Sequence, residues 1–154
     1  MLFQRINRSD PEKIFVVAKN SYSTASLTDG QSVMWDYVTD QDGVGVTKAG
    51  SGLAKHGGSV GAGIAAETIA AGSYGLVQVY GYHATARGHA GTGGVSVATG
   101  IPLALVDAEF ALGSCDVSQA STAVIRVWYP IAFSMGLATS VYTTTTGKVF
   151  IKAL

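Results

Sequence analysis

Residues 67–87 read ETIAAGSYGLVQVYGYHATAR, and how this run folds decides the rest. The small and flexible residues of AAGSYG (70–75) favour a turn. The first arm of the hairpin is GIAAETI (63–69) and the second begins at Leu76. A strict two-residue period puts Leu76, Gln78, Tyr80, Tyr82, Ala84 and Ala86 on one face and Val77, Val79, Gly81, His83 and Thr85 on the other. Tyr80 and Tyr82 then sit together while His83 points away. The stretch is predicted to be a strand whose tyrosines serve packing or subunit contact, not the wall of an active site.

The same period recurs in both directions. IFVVAK (14–19) alternates, as does SVMWDYV (32–38), with Val33, Trp35 and Tyr37 on one side. IAFSMGLATSVY (131–142) sets Ile131, Phe133, Met135, Leu137 and Val141 against small neighbours. KVFIKA (148–153) opposes Val149 and Ile151 to Lys148, Phe150 and Lys152. Asp-Gly pairs in SLTDGQ (26–31) and TDQDGVG (39–45) mark tight turns, and TTTTGK (143–148) reads as the hairpin before the last strand. GVGVTKAGSGLAKHGGSVGAG (43–63) alternates weakly and reads as strand, loop, strand. GHAGTGGVSVATG (88–100) reads as a flexible connection, and a turn of helix would fit only LVDAEFAL (105–112). Short strands punctuated by turns predict an all-β domain, a single small β-barrel or β-sandwich over residues 14–154, with residues 1–13 as an extended N-terminal arm.

Composition narrows the function classes. Charged residues make up 13% of the 154 and hydrophobic ones 47%, with a mean hydropathy of +0.30. So few charges cannot cover a monomer's surface, which predicts apolar area buried against other subunits or partners. Ten basic residues balance ten acidic ones, so no basic footprint for nucleic acid exists. No apolar run approaches the length of a membrane span, and MLFQRINRSDPEK (1–13) is too polar for a signal peptide, which predicts synthesis in the cytoplasm. Cys115 stands alone, so no internal disulfide is available.

The motifs that could carry chemistry fail on context. GGSVG (57–61) matches the nucleophile-elbow pattern around Ser59 but has no strand-turn-helix setting, and AFSMG (132–136) would put Ser134 in mid-strand. SGLAKHG (51–57) resembles a segment of trimeric dUTP pyrophosphatases, and ARGHAGTGG (86–94) looks like their glycine-rich arm. Those enzymes carry an arginine before the serine where this chain has Ala49 and Gly50, and an aspartate that activates water. Between Gly45 and Val106 the only carboxylate here is Glu67. His83 and His89 lack the further ligands of a zinc site. TTTTGKV (143–149) lacks the first glycine of a P-loop. Asp107 and Glu109 have no third group, and Glu67 and Arg87 read as solvated charges. The expectation is a protein that is not an enzyme, with no catalytic residue, no cofactor and no metal.

The order of segments resembles that of the small capsid decoration, or cement, proteins of tailed bacteriophages. KIFVVAKN followed by a TDG turn (13–30), a VMWD strand, the glycine-rich passage, ETIAAGSYGLVQVYGYHATA (67–86), TGIPLALV (99–106) and a GLATSVYT…GKVFIKAL ending (136–154) carry the likeness. SCDVSQASTAVIRVWYP (114–130) lies outside it. The resemblance implies a β-tulip-like domain on the capsid exterior of a virion, assembled as a homotrimer. The major capsid protein would be its partner, without nucleic acid or membrane. Phe3, Arg5 and Arg8 in the arm, with Tyr80, Tyr82, Trp128 and Tyr129, are the expected capsid or subunit contacts, since Tyr, Trp and Arg dominate interface energetics. A head fibre, tail or baseplate component has a similar composition and is the alternative, ahead of a dUTP-pyrophosphatase-like hydrolase.

Overall fold

The computed structural model describes residues 12–40, 42–50, 60–89, 97–106, 108–115, 130–137 and 144–153. Among them the regular structure is all β: β1 (Lys13–Asn20), β2 (Ser32–Trp35), β3 (Gly45–Thr47), β4 (Gly61–Ala65), β5 (Tyr74–His89), β6 (Pro102–Leu105), β7 (Leu112–Ser114), β8 (Ala132–Ser134) and β9 (Thr144–Lys152). The fold class expected from the alternating segments is the one observed.

All nine strands join one sheet in the order β1-β3-β2-β4-β5-β7-β6-β8-β9, and β5 also pairs with β1 and β9. The pairings therefore trace two five-strand circuits that share β5. Each is a partial ring rather than a closed barrel, because the parallel links are short. The β1–β3 link rests on Lys19↔Gly45 and Asn20↔Val46, and the β5–β7 link on Gly88↔Leu112 alone. The 16-residue β5 is long enough to serve both rings, meeting β1 along its first half and β9 along its second.

Two cores follow from this plan. Ala18, Val33, Val46, Ala62, Ala65, Ile69 and Val77 fill the first ring. Met34, Ile64, Ala86, Leu103, Leu112, Ala132, Leu137, Val149 and Ile151 fill the second. β2 and β4 lie between the cores, with Val33 in one and Met34 in the other, and Ala62 and Ala65 opposite Ile64. All five residues of β4, Gly-Ala-Gly-Ile-Ala, are buried. A strand covered on both faces has no polar side to show, so it loses its alternation. That is why the 61–63 end of the 43–63 passage shows no clear alternation. A bulge between Val33 and Met34 seats Gly63 at φ 144, where a Cβ would overlap the Gln78 carbonyl, so this close approach requires glycine.

Four expectations need correction. The 32–38 strand stops at Trp35, because the Asp36 carboxylate accepts the N–H groups of Val38 (3.3 Å) and Thr39 (3.1 Å) and the Thr39 hydroxyl, forming a turn. Burial pushes the Asp36 carboxyl up, but the bonds from Thr39 and Val38 outweigh it and hold the group below its ordinary range. In β8 the small residues Ala132 and Ser134 face inward while Phe133 and Met135 are exposed. A bulge then restores Leu137 to the core, since the N–H groups of Met135 and Leu137 both bond the Lys148 carbonyl. Thr144–Gly147 is not a hairpin turn but the paired first half of β9, opposite Ala86–His89. Among the described residues of 105–112, which leave out Asp107, there is no helix, and Glu109 N–H donates to the Val106 carbonyl between β6 and β7.

Candidate interaction surface

The outer face where β5, β9 and β8 run side by side carries a registered row of rings. Phe133 of β8 pairs with Phe150 of β9, and Phe150 pairs with Tyr82 of β5. Directly opposed residues share a face with Cβ atoms about 5 Å apart, so Phe133, Phe150 and Tyr82 form one continuous row. Tyr80 adjoins it, its ring 5.2 Å from that of Phe150 at an interplanar angle of 82°. This edge-to-face geometry suits the ring quadrupoles. Ile14 extends the surface across β1, opposite Tyr80. Phe133 and Ile14 are each 40% exposed and Met135 51%, while Tyr80, Tyr82 and Phe150 are half-buried. The β9 neighbours on this face are Lys148 and Lys152, which bracket Phe150.

A second apolar strip lies on the other side of β1 and the start of β5. Val17 opposes Leu76 and Lys19 opposes Tyr74, and Val17, Leu76 and Tyr74 all face solvent.

Two bulges in β5 set what each face holds. The register slips by one between Ile14↔Tyr80 and Phe15↔Gln78, leaving Val79 as the extra residue, and slips again between His83 and Ala86. Gly81 sits at φ 99 beside the first slip, packed so closely that a Cβ would overlap the Glu12 carbonyl. The first bulge overturns part of the even-odd assignment. Gln78 was expected with the tyrosines, yet its side chain lies with that of His83. His83 does point away from Tyr80 and Tyr82, as expected.

There the buried His83 makes a polar link. Its Nδ1 lies 3.0 Å from Gln78 Oε1, and Gln78 Nε2 donates to the carbonyls of Tyr80 and Tyr82, both at 3.1 Å. With Gln78 oriented by those two carbonyls, its oxygen accepts from Nδ1–H. His83 Nε2 faces Thr85 Oγ1 at 3.4 Å and Asp29 Oδ1 at 3.7 Å, while the Thr85 hydroxyl donates to Asp29 Oδ2 at 2.7 Å. Burial lowers the His83 pKa, Asp29 opposes that and Lys13 adds to it, with a net shift down. Because Thr85 gives its proton to Asp29, it is not set up as a nucleophile by His83, and the partner of the imidazole Nδ1 is an amide rather than a carboxylate. The group ties the 28–31 turn to β5.

Other singled-out residues also have defined places. Ser134 is buried and its hydroxyl donates to the Leu137 carbonyl at 2.7 Å. Glu67 Oε1 accepts the Leu76 N–H at 2.8 Å instead of meeting Arg87. Burial pushes the Cys115 thiol up to about 11. An open polar cleft of about 570 Å³ is lined by Lys19, Asn20, Thr39, Asp40, Asp42 and Tyr74 among others. Among the described residues no three His, Cys, Asp or Glu side chains gather as metal ligands do. No helix is long and apolar enough to cross a membrane among them.

Of the expected contact residues, the structure brings Tyr80 and Tyr82 together on the aromatic face. Phe3, Arg5, Arg8, Trp128 and Tyr129 lie outside the described residues, as do the 1–11 part of the arm, Ser59 and the SGLAKHG segment. Sequence reasoning missed Phe133, Phe150, Met135 and Ile14 as members of the same surface. Phe150 was already set with Lys148 and Lys152, so a signal existed. Register was the missing information.

No family model matches the chain, and no curated protein matches it. Among solved structures it is similar to the N base of head fiber gp8.5 in bacteriophage phi29, at 12% identity and a TM-score of 0.49. The likeness covers 92% of this chain and 96% of that one.

Proposed function

We propose that this chain is a non-enzymatic structural protein of a tailed-phage virion that binds the outer face of the capsid and stabilises the head. The observation that carries the reading is the registered row of Phe133, Phe150 and Tyr82 on an outer sheet face. An aromatic face partly open to water marks a surface meant for a partner, and these residue types concentrate binding energy. The order of sequence segments that resembles the decoration proteins supports it, as does a charged fraction of only 13%. Neutral apolar surface suits contact by area at many symmetric copies, where weak single contacts add through multivalency. The Val17, Leu76 and Tyr74 strip offers a separate area for self-association as a homotrimer.

The test is rebinding. Purified protein is added to expanded capsid shells stripped of it, and occupancy is counted by electron microscopy. Binding in a fixed ratio, with a rise in the shells' thermal or pressure resistance, is the expected result. Absence of rebinding would overturn the reading.

A further inference from the structure

We infer that the aromatic row of β5, β9 and β8 docks a foreign protein surface that is apolar at its centre and carries carboxylates at its margin. The geometry supplies the apolar half of this pairing: Phe133, Phe150 and Tyr82 lie in register across three strands, and the exposed Met135 follows just past the end of β8. The charge half comes from β9. Lys148 and Lys152 stand two residues to either side of Phe150, so both rise from the face that carries its ring. Neither makes an ion pair among the described residues, and both are exposed. Two exposed ammonium groups thus bracket the aromatic centre.

That arrangement selects among occupants. In a twofold contact between copies of this chain, the same patch meets itself. The lysines of one copy would then face those of the other, and like-charge juxtaposition opposes that contact. A nucleic acid or an anionic membrane would call for a broad basic field, whereas the chain carries ten basic and ten acidic residues. A protein face with Asp or Glu around an apolar centre satisfies both the rings and the lysines. Burial of the rings supplies affinity, and the flanking charges supply orientation and choice of partner.

The inference rests on the proposed capsid role for its probe, which is the stripped capsid shell. Cosedimentation of the purified protein with these shells is measured in low and moderate salt, with melting curves confirming that each variant is folded. Phe133→Ser combined with Met135→Ser should weaken binding by about tenfold or more, as should Lys148→Glu with Lys152→Glu. Lys148→Arg with Lys152→Arg should bind nearly as wild type, because charge is what is asked of these positions. Salt should weaken the wild type more than Lys148→Gln with Lys152→Gln. Folded variants that all bind as tightly as wild type would overturn the docking face while leaving the capsid role intact. Loss of an oligomer in the Phe133→Ser variant, read by analytical ultracentrifugation, would overturn it in favour of a second copy. No binding of wild-type protein to shells would remove both the capsid role and the partner named here.

Discussion

His83 Nδ1 lies 3.0 Å from Gln78 Oε1, although the two stand five positions apart on one strand and strict alternation would put them on opposite faces. The extra residue at the first bulge of β5 brings them together and buries an imidazole beside the larger core, opposite Val149 in β9.

This burial makes stability depend on pH in a defined direction. The folded-state pKa of His83 lies below its ordinary value because burial disfavours the charged ring. The unfolded chain therefore binds more protons below about pH 6.5, and stability falls as pH drops through the folded-state pKa. The contribution is complete above the unfolded value. Urea midpoints measured from pH 7.5 to 5 should decline, and His83→Gln should flatten that part of the profile. Asp29→Asn removes a charge that favours the protonated ring and should steepen it.

Gly81 should resist substitution. Its φ of 99° is disfavoured for any side chain, and a Cβ would overlap the backbone at Glu12. Gly81→Ala is expected to cost about 3 kcal/mol, combining conformational strain with a clash in the β1–β5 ladder. Gly72→Ala, at φ 75 with open space around it, should cost about 1 kcal/mol. Chemical denaturation of the two variants checks the contrast.

The layer between the cores should be the least tolerant of truncation. Ile64 is fully buried in β4, and Ile64→Ala should destabilise by about 3 kcal/mol through lost burial and a residual cavity. Val17, 64% exposed, should tolerate Val17→Ala within about 0.5 kcal/mol. Thermal melts of both variants decide it.

The Tyr80–Phe150 ring pair should show a measurable coupling. A double-mutant cycle with Tyr80→Ala and Phe150→Ala is expected to return about 0.5–1.5 kcal/mol beyond the single losses. Exposure of the surface makes the lower half of that range the expected outcome. Additive single and double variants would show that the edge-to-face contact contributes nothing.

The sequence by itself determined the local elements wherever one face of a strand meets water. KIFVVAKN and GKVFIKA alternate because β1 and β9 have an outside, and AAGSYG turns because Gly72 can take φ 75. It also placed Tyr80 and Tyr82 together, since no bulge falls between them. Only the tertiary structure decided the rest. β4 became legible as a strand only once it was buried on both sides, because a doubly covered strand needs no polar face. The first bulge of β5 moved Gln78 to the side of His83, since one extra residue reverses every later side chain, and pairing with Ile151 and Val149 of β9 set Ala132 and Ser134 inward. The aromatic row depends on pairing between strands up to about 70 residues apart. No local period contains the register that sets Phe133 beside Phe150 and Phe150 beside Tyr82, because register is fixed by the partner strand and not by the strand itself.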